Sequence, residues 1–163
     1  EAVVRMTRAF LPFLQERSEA RIVNVSSLFG LITPAGQTAY CASKFAVRGF
    51  SNALRLELEG SNVGVTVVHP GGVATSIATS ARVSADVSPD EIERSRVQAQ
   101  KLLRMPPQRA AQIIVSGIER NKPRVLVGND ARLLSWLERL LPVSYWRLFP
   151  ALAKAPAAPS NQP

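Results

Sequence analysis

The chain has 163 residues, a formal net charge of +8, a single cysteine and an apolar fraction of 46%. That length can bury a sizeable core, no run of about 18 apolar residues marks a membrane-spanning helix, and a lone cysteine excludes an internal disulfide and makes a reducing compartment the default. The positive charge is not a nucleic-acid footprint, because bases and acids are interleaved, as in Arg55-Leu56-Glu57-Leu58-Glu59, and no basic cluster is threaded with aromatics.

Residues 1–17 predict an amphipathic helix, with Val3, Met6, Phe10, Phe13 and Leu14 on one stripe. Glu19-Ala20 forms the turn into a strand over 21–26, whose β-branched run leads to the hydroxyls of Ser26 and Ser27. A loop holding Gly30, Pro34 and Gly36 precedes a helix over 37–60, its inner positions being Ala42, Phe45, Leu54 and Leu58. Tyr40 and Lys44 lie one turn apart on this helix and project from the same face. A tyrosine titrates at about 10 and is a poor base at neutral pH. An ammonium within a few ångströms favours the phenolate, which makes Tyr40 usable for general acid–base work. A Tyr-x-x-x-Lys pair alone is more often a half-buried aromatic beside a solvated charge. Its company gives it meaning here: Ser27 ends one strand, and a second strand over 64–69 ends in Pro70-Gly71-Gly72-Val73-Ala74-Thr75. Open α/β sheets gather ligands at such strand ends. Cys41, next to Tyr40, points off that face as a small core or interface residue. His69, the only histidine, ends a buried strand and reads as a hydrogen-bonded structural residue rather than a base.

Both strands have few charges, as parallel strands covered on two faces do, and the strand–helix–strand unit is expected to be right-handed. Between Ala74 and Met105 the chain is serine-rich and then charged, with a helix expected at about Pro89–Leu103. Pro106-Pro107 opens a helix over 107–120, and a short strand follows at 124–127. The segment 133–149 sets both tryptophans among apolar residues and arginines. Its readings are docking on the domain, closing a partner's pocket, or peripheral membrane contact. No metal-ligand pattern is visible.

The residues from Arg21 to Thr75 resemble the catalytic half of the short-chain dehydrogenase/reductase family, in order and spacing as well as identity. The matching pieces are Asn24-Val25-Ser26-Ser27, Gly30, Tyr40-x-Ala42-Ser43-Lys44, Gly49-Phe50 and Pro70-Gly71-x-Val73-x-Thr75. The resemblance implies an α/β, Rossmann-like, doubly wound parallel sheet, present as its carboxyl-terminal part over residues 1–150, with a disordered tail at 151–163. It implies Tyr40 as catalytic acid/base, Ser27 on the substrate oxygen, and Lys44 on the ribose of NAD or NADP as well as on the tyrosine charge. Pro70, Gly71, Val73 and Thr75 would cradle the nicotinamide, the glycines letting backbone approach the ring. Asn24 would be structural, bonding main chain. The family's glycine-rich turn, its catalytic asparagine and its NAD-versus-NADP selector are expected upstream, so the chain reads as part of a longer polypeptide.

The resemblance further implies a small alcohol or ketone substrate, a mobile lid within 74–105, a homodimer or homotetramer through the helices 1–17 and 37–60, and a cytoplasmic enzyme. Leu28, Phe29, Leu31 and Ile32 hint at a hydrophobic substrate, or else pack against the lid. The other reading of the chain is a non-catalytic, cofactor-binding or scaffolding relative.

Overall fold

A computed structural model describes residues 1–80 and 88–148. Helix α1 (Ala2–Gln15) leads to strand β1 (Ala20–Val25), a 3-10 turn (Leu28–Gly30), helix α2 (Thr38–Glu57) and strand β2 (Val63–Pro70). Short helix α3 (Ile77–Ser80), α4 (Pro89–Leu102), α5 (Pro107–Glu119), strand β3 (Arg124–Val127), α6 (Asn129–Leu140) and a last 3-10 turn (Tyr145–Leu148) follow. The three strands form one parallel sheet in the order β1-β2-β3. Ile22 pairs with Val65 and Val25 with Val68, while Val68 pairs with Val125 and Pro70 with Val127.

The central position of β2 explains its composition. Val63, Val65, Val67 and Val68 are all buried, and a continuous β-branched run suits a strand with no solvent face. Successive strand residues point to opposite faces, and the packing follows that alternation. Ile22, Val63 and Val65 meet Leu11 and Leu14 of α1 and Phe50 and Leu54 of α2. Val23, Val68, Val125 and Val127 meet Ala110, Ile113 and Ile114 of α5. Helices therefore cover both faces, the doubly wound arrangement. Gly117 lets α5 lie flush on the sheet, because a Cβ there would run into the Val125 side chain.

Element ends shift by a few residues from the expected ones, and Ala20 belongs to β1 rather than to the turn before it. Within α2 the inner face holds Cys41, Ser51 and Leu54, whereas Ala42 is exposed. Much of the apolar stripe of α1 is uncovered among the described residues. Met6, Phe10 and Phe13 are exposed, and Val3, Met6, Phe10 and Leu14 line a groove of about 470 Å³ along the outer edge of β1.

A third cluster corrects the reading of the loop after β1. Leu28, Leu31 and Ile32 are buried against Ala131, Leu134 and Leu137 of α6 and against Tyr145. They are the seat of the last helix, a packing partner that neither expected reading named. Tyr145 pins this seat, its hydroxyl accepting from the Thr33 amide at 2.7 Å and lying 2.8 Å from Thr33 Oγ1. The segment 133–148 thus docks on the domain through Leu134, Leu137 and Tyr145, with Trp136 and Trp146 turned outward. Residues 81–87 of the expected lid, residue 149 and the expected tail 151–163 lie outside the described residues. Among the described residues no helix is long and apolar enough to cross a membrane.

Candidate active site

The carboxyl ends of β1 and β2 carry the chemistry-bearing residues. The β1–β2 ladder closes with the Ser26 amide on the Val68 carbonyl at 2.8 Å. Ser26 then turns its hydroxyl inward and donates to the Lys44 carbonyl at 2.8 Å, tying the strand end to α2. Gly30 makes room for that bond: a Cβ there would collide with Ser26 Oγ and lie 2.9 Å from the Lys44 carbonyl oxygen. Asn24 is tied in parallel, its amide donating to Ser51 Oγ at 3.0 Å, and Ser51 in turn donating to the Val47 carbonyl at 2.7 Å. Asn24 is structural as expected, but its partner is a side chain of α2 rather than main chain.

Ser27 is extended (φ −161°, ψ 167°) and caps the following 3-10 turn, its Oγ accepting from the Phe29 amide at 3.1 Å. A hydroxyl that accepts there still has its own hydrogen to donate. Tyr40 sits in the first turn of α2, where no side chain caps the helix. It is 37% exposed. The Phe29 ring meets it edge-on with centroids 6.0 Å apart, which brings the Ser27 turn against the tyrosine. The Lys44 ammonium lies 5.6 Å from the Tyr40 ring centroid and 3.4 Å from the Val25 carbonyl oxygen. Cys41, one residue from Tyr40, is buried and its thiol pKa is raised, chiefly by burial, which makes it a core residue rather than a nucleophile.

The turn after β2 is held on every side. Gly71 donates to the Val127 carbonyl at 2.9 Å, and the Gly72 carbonyl accepts from the Arg104 and Met105 amides at 3.0 and 2.9 Å. The Gly72 amide donates to the Asp130 carboxylate at 2.7 Å. Both glycines leave room for these neighbours. A Cβ on Gly71 would strike the Asp130 carboxylate, and one on Gly72 the Leu102 carbonyl. The Val73 amide bonds Gly71 and the Thr75 amide bonds Val73, while the Thr75 side-chain oxygen accepts from the Ile77 amide at 3.5 Å. His69, at the end of β2, is fully buried, with Nδ1 2.8 Å from the Ser27 carbonyl oxygen. Its pKa is lowered to about 4, mainly by burial and then by the nearby Arg124 and Arg48 cations, against the opposing pull of the Ser27 bond.

Tyr40 and Lys44 are thus brought together, with Ser27 joined to them through Phe29, and Pro70–Thr75 leaves the neighbouring strand at the same sheet edge. Ser26 and Asp130 were not singled out from sequence. Ser26 is one of two adjacent serines with nothing to mark its inward turn, and Asp130 lies far along the chain from the loop it holds. For a nicotinamide dinucleotide the donor set fits through side chains. Lys44 spends one of its three ammonium hydrogens on Val25 among the described residues, and Thr75 is exposed. Among the described residues no group of three or more His, Cys, Asp or Glu could hold a metal.

A sequence profile of the family described as short chain dehydrogenase matches residues 1–86. SadH of Mycobacterium tuberculosis, named as an oxidoreductase, is 44% identical over 151 residues, covering 91% of this chain and 54% of that protein. A dehydrogenase/reductase SDR family protein 7-like from Anopheles gambiae is 31% identical, over 88% of this chain and 44% of its own length. Among solved structures, a short chain dehydrogenase/reductase from Burkholderia phymatum, crystallised with NAD, superposes with a TM-score of 0.74 at 24% identity. The match covers 96% of this chain and 57% of that one. The chain spans about half the length of the curated relatives it matches.

Proposed function

The chain belongs to the short-chain dehydrogenase family, and from that premise we propose that the protein it comes from is an NAD(P)-dependent oxidoreductase interconverting a secondary alcohol and a ketone. When bound, NAD or NADP supplies or removes the hydride at the substrate carbon. The side chains of this chain have the remaining work. Ser27 donates its free hydroxyl hydrogen to the substrate oxygen and holds it against the phenol. Tyr40 gives its proton to that oxygen in the reducing direction and takes it back in the oxidising one.

Lys44 favours negative charge developing on the phenolic oxygen, since opposite charges a few ångströms apart attract. Its other hydrogens suit the ribose hydroxyls. Pro70, Gly71, Val73 and Thr75 would form the wall for the nicotinamide, the Thr75 hydroxyl being suited to its carboxamide. The substrate is a small alcohol or ketone, and the assembled enzyme a homodimer or homotetramer in the cytoplasm.

The observation that carries this reading is the Tyr40–Lys44 pair, 5.6 Å from ring to ammonium with Tyr40 exposed, beside the hydroxyl-bearing end of β1. Tyr40→Phe removes the exchangeable proton with little change of shape. In the complete protein, assayed by NADH and NADPH absorbance against a panel of ketones, it is expected to lower kcat by at least about a hundredfold, within the range for loss of an acid–base group. A Tyr40→Phe enzyme with near-normal kcat would refute the assignment.

A further inference from the structure

The chain's single histidine stands where the two loops of the site meet, yet the proposed chemistry gives it no step. Backbone pairing of β1 with β2 ends at Ser26 and Val68. The next bond across that gap comes from a side chain, His69 Nδ1 to the Ser27 carbonyl oxygen at 2.8 Å. A carbonyl only accepts, so Nδ1 carries the hydrogen. The neutral ring then has its lone pair on Nε2, which is buried and meets no partner among the described residues. A polar atom buried without a partner is unfavourable, so the ring is not placed there to satisfy itself. What it does supply is the hold on Ser27. The carbonyl of Ser27 is fixed by His69 and its Oγ by the Phe29 amide, which together hold the backbone and the hydroxyl oxygen in place.

We propose that His69 is a positioning residue: through its Nδ1–H it orients the Ser27 hydroxyl toward the substrate oxygen. Because its own backbone runs straight into Pro70-Gly71-Gly72, it also locks the Ser27 loop in register with the loop of the neighbouring strand. The inference rests on the reading of Ser27 as the donor to that oxygen.

The test uses three single variants of the complete protein, at His69 and Ser27, and one double variant. His69→Leu removes the donor, whereas His69→Asn places an amide N–H whose nitrogen is two bonds from Cβ, as Nδ1 is. His69→Leu is expected to lower kcat by about 10- to 100-fold, the scale of a small misplacement at a reacting centre, while the dinucleotide KM changes by less than about threefold. His69→Asn is expected to recover most of kcat. In a Ser27→Ala background, His69→Leu is expected to add no further loss, because the group it orients is gone.

Near-normal kcat in Ser27→Ala alone would overturn the catalytic reading of Ser27. With Ser27→Ala slow, equal losses for His69→Leu and His69→Asn on the natural Ser27 background, or losses of His69→Leu and Ser27→Ala that multiply in the double variant, would overturn the positioning role and leave Ser27 standing. Should His69→Leu fail to fold by circular dichroism, His69→Gln replaces it. Its amide lies one methylene too far from Cβ, and it must show the same loss.

Discussion

The imidazole of His69 lies under the fields of Arg124 on β3 and Arg48 on α2, and gives its Nδ1 hydrogen to Ser27. Its pKa of about 4, against an ordinary 6.5, means that the folded chain refuses a proton that the unfolded chain accepts between those values. The sign follows directly. The contribution of the neutral ring to stability is complete above pH 6.5 and is lost as pH falls from 6.5 toward 4, about 3 kcal/mol in all. His69→Asn cannot titrate, so it is expected to flatten this limb. Urea midpoints recorded from pH 7 down to 4.5 should fall less for the variant than for the natural chain, with carboxylate protonation common to both. Parallel curves would show that the ring is hydrated and titrates as it does in the unfolded state.

The 3-10 turn Leu28–Gly30 lies against helix α2, and at Gly30 it leaves the Ser26 hydroxyl its path to the Lys44 carbonyl. Gly30→Ala forces these groups apart, an overpacking of the kind that costs about 1–3 kcal/mol, and the helix end it displaces carries Tyr40 and Lys44. A lower thermal midpoint together with a lower kcat is the expected outcome; unchanged values of both would mean that the two elements are not in contact there. Elements of this kind were readable beforehand to different degrees. The strands announced themselves through β-branched runs, and Tyr40 and Lys44 through their one-turn spacing, because such signals are local. Cys41 took the inner place expected of Ala42, since two small residues side by side cannot fix a helix face. Leu28, Leu31 and Ile32, just after Ser27, look the same whether they face a substrate or α6. The residues that decide it, Ala131, Leu134 and Tyr145, lie about a hundred positions further along. Asp130 was illegible for the same reason, its partner loop being set by the order of the strands.

The two outer edges of the sheet differ in kind, and this governs how the 163 residues behave when taken alone. Along β3, a groove of about 590 Å³ is lined by Arg109, Arg120, Lys122, Arg124 and Arg132, with no Asp or Glu among its lining residues. Two copies meeting there would confront like charges, a repulsion that adds to that of a chain carrying +8. Along β1 the backbone edge is open among the described residues, and beside it stand Met6, Phe10 and Val25, each at least half exposed. An unpaired strand edge with apolar flanks is a template for association. The isolated chain is therefore expected to self-associate through β1 and α1, and to do so more strongly as salt screens the net charge. Light scattering after gel filtration, at rising protein and salt concentration, measures this. Phe10→Glu places a charge in the groove and is expected to return the chain toward monomer, whereas Arg124→Glu on the opposite edge is not. A chain that stays monomeric at about 1 M salt, where the Debye length is only about 3 Å, would show that the β1 edge is not a template for pairing.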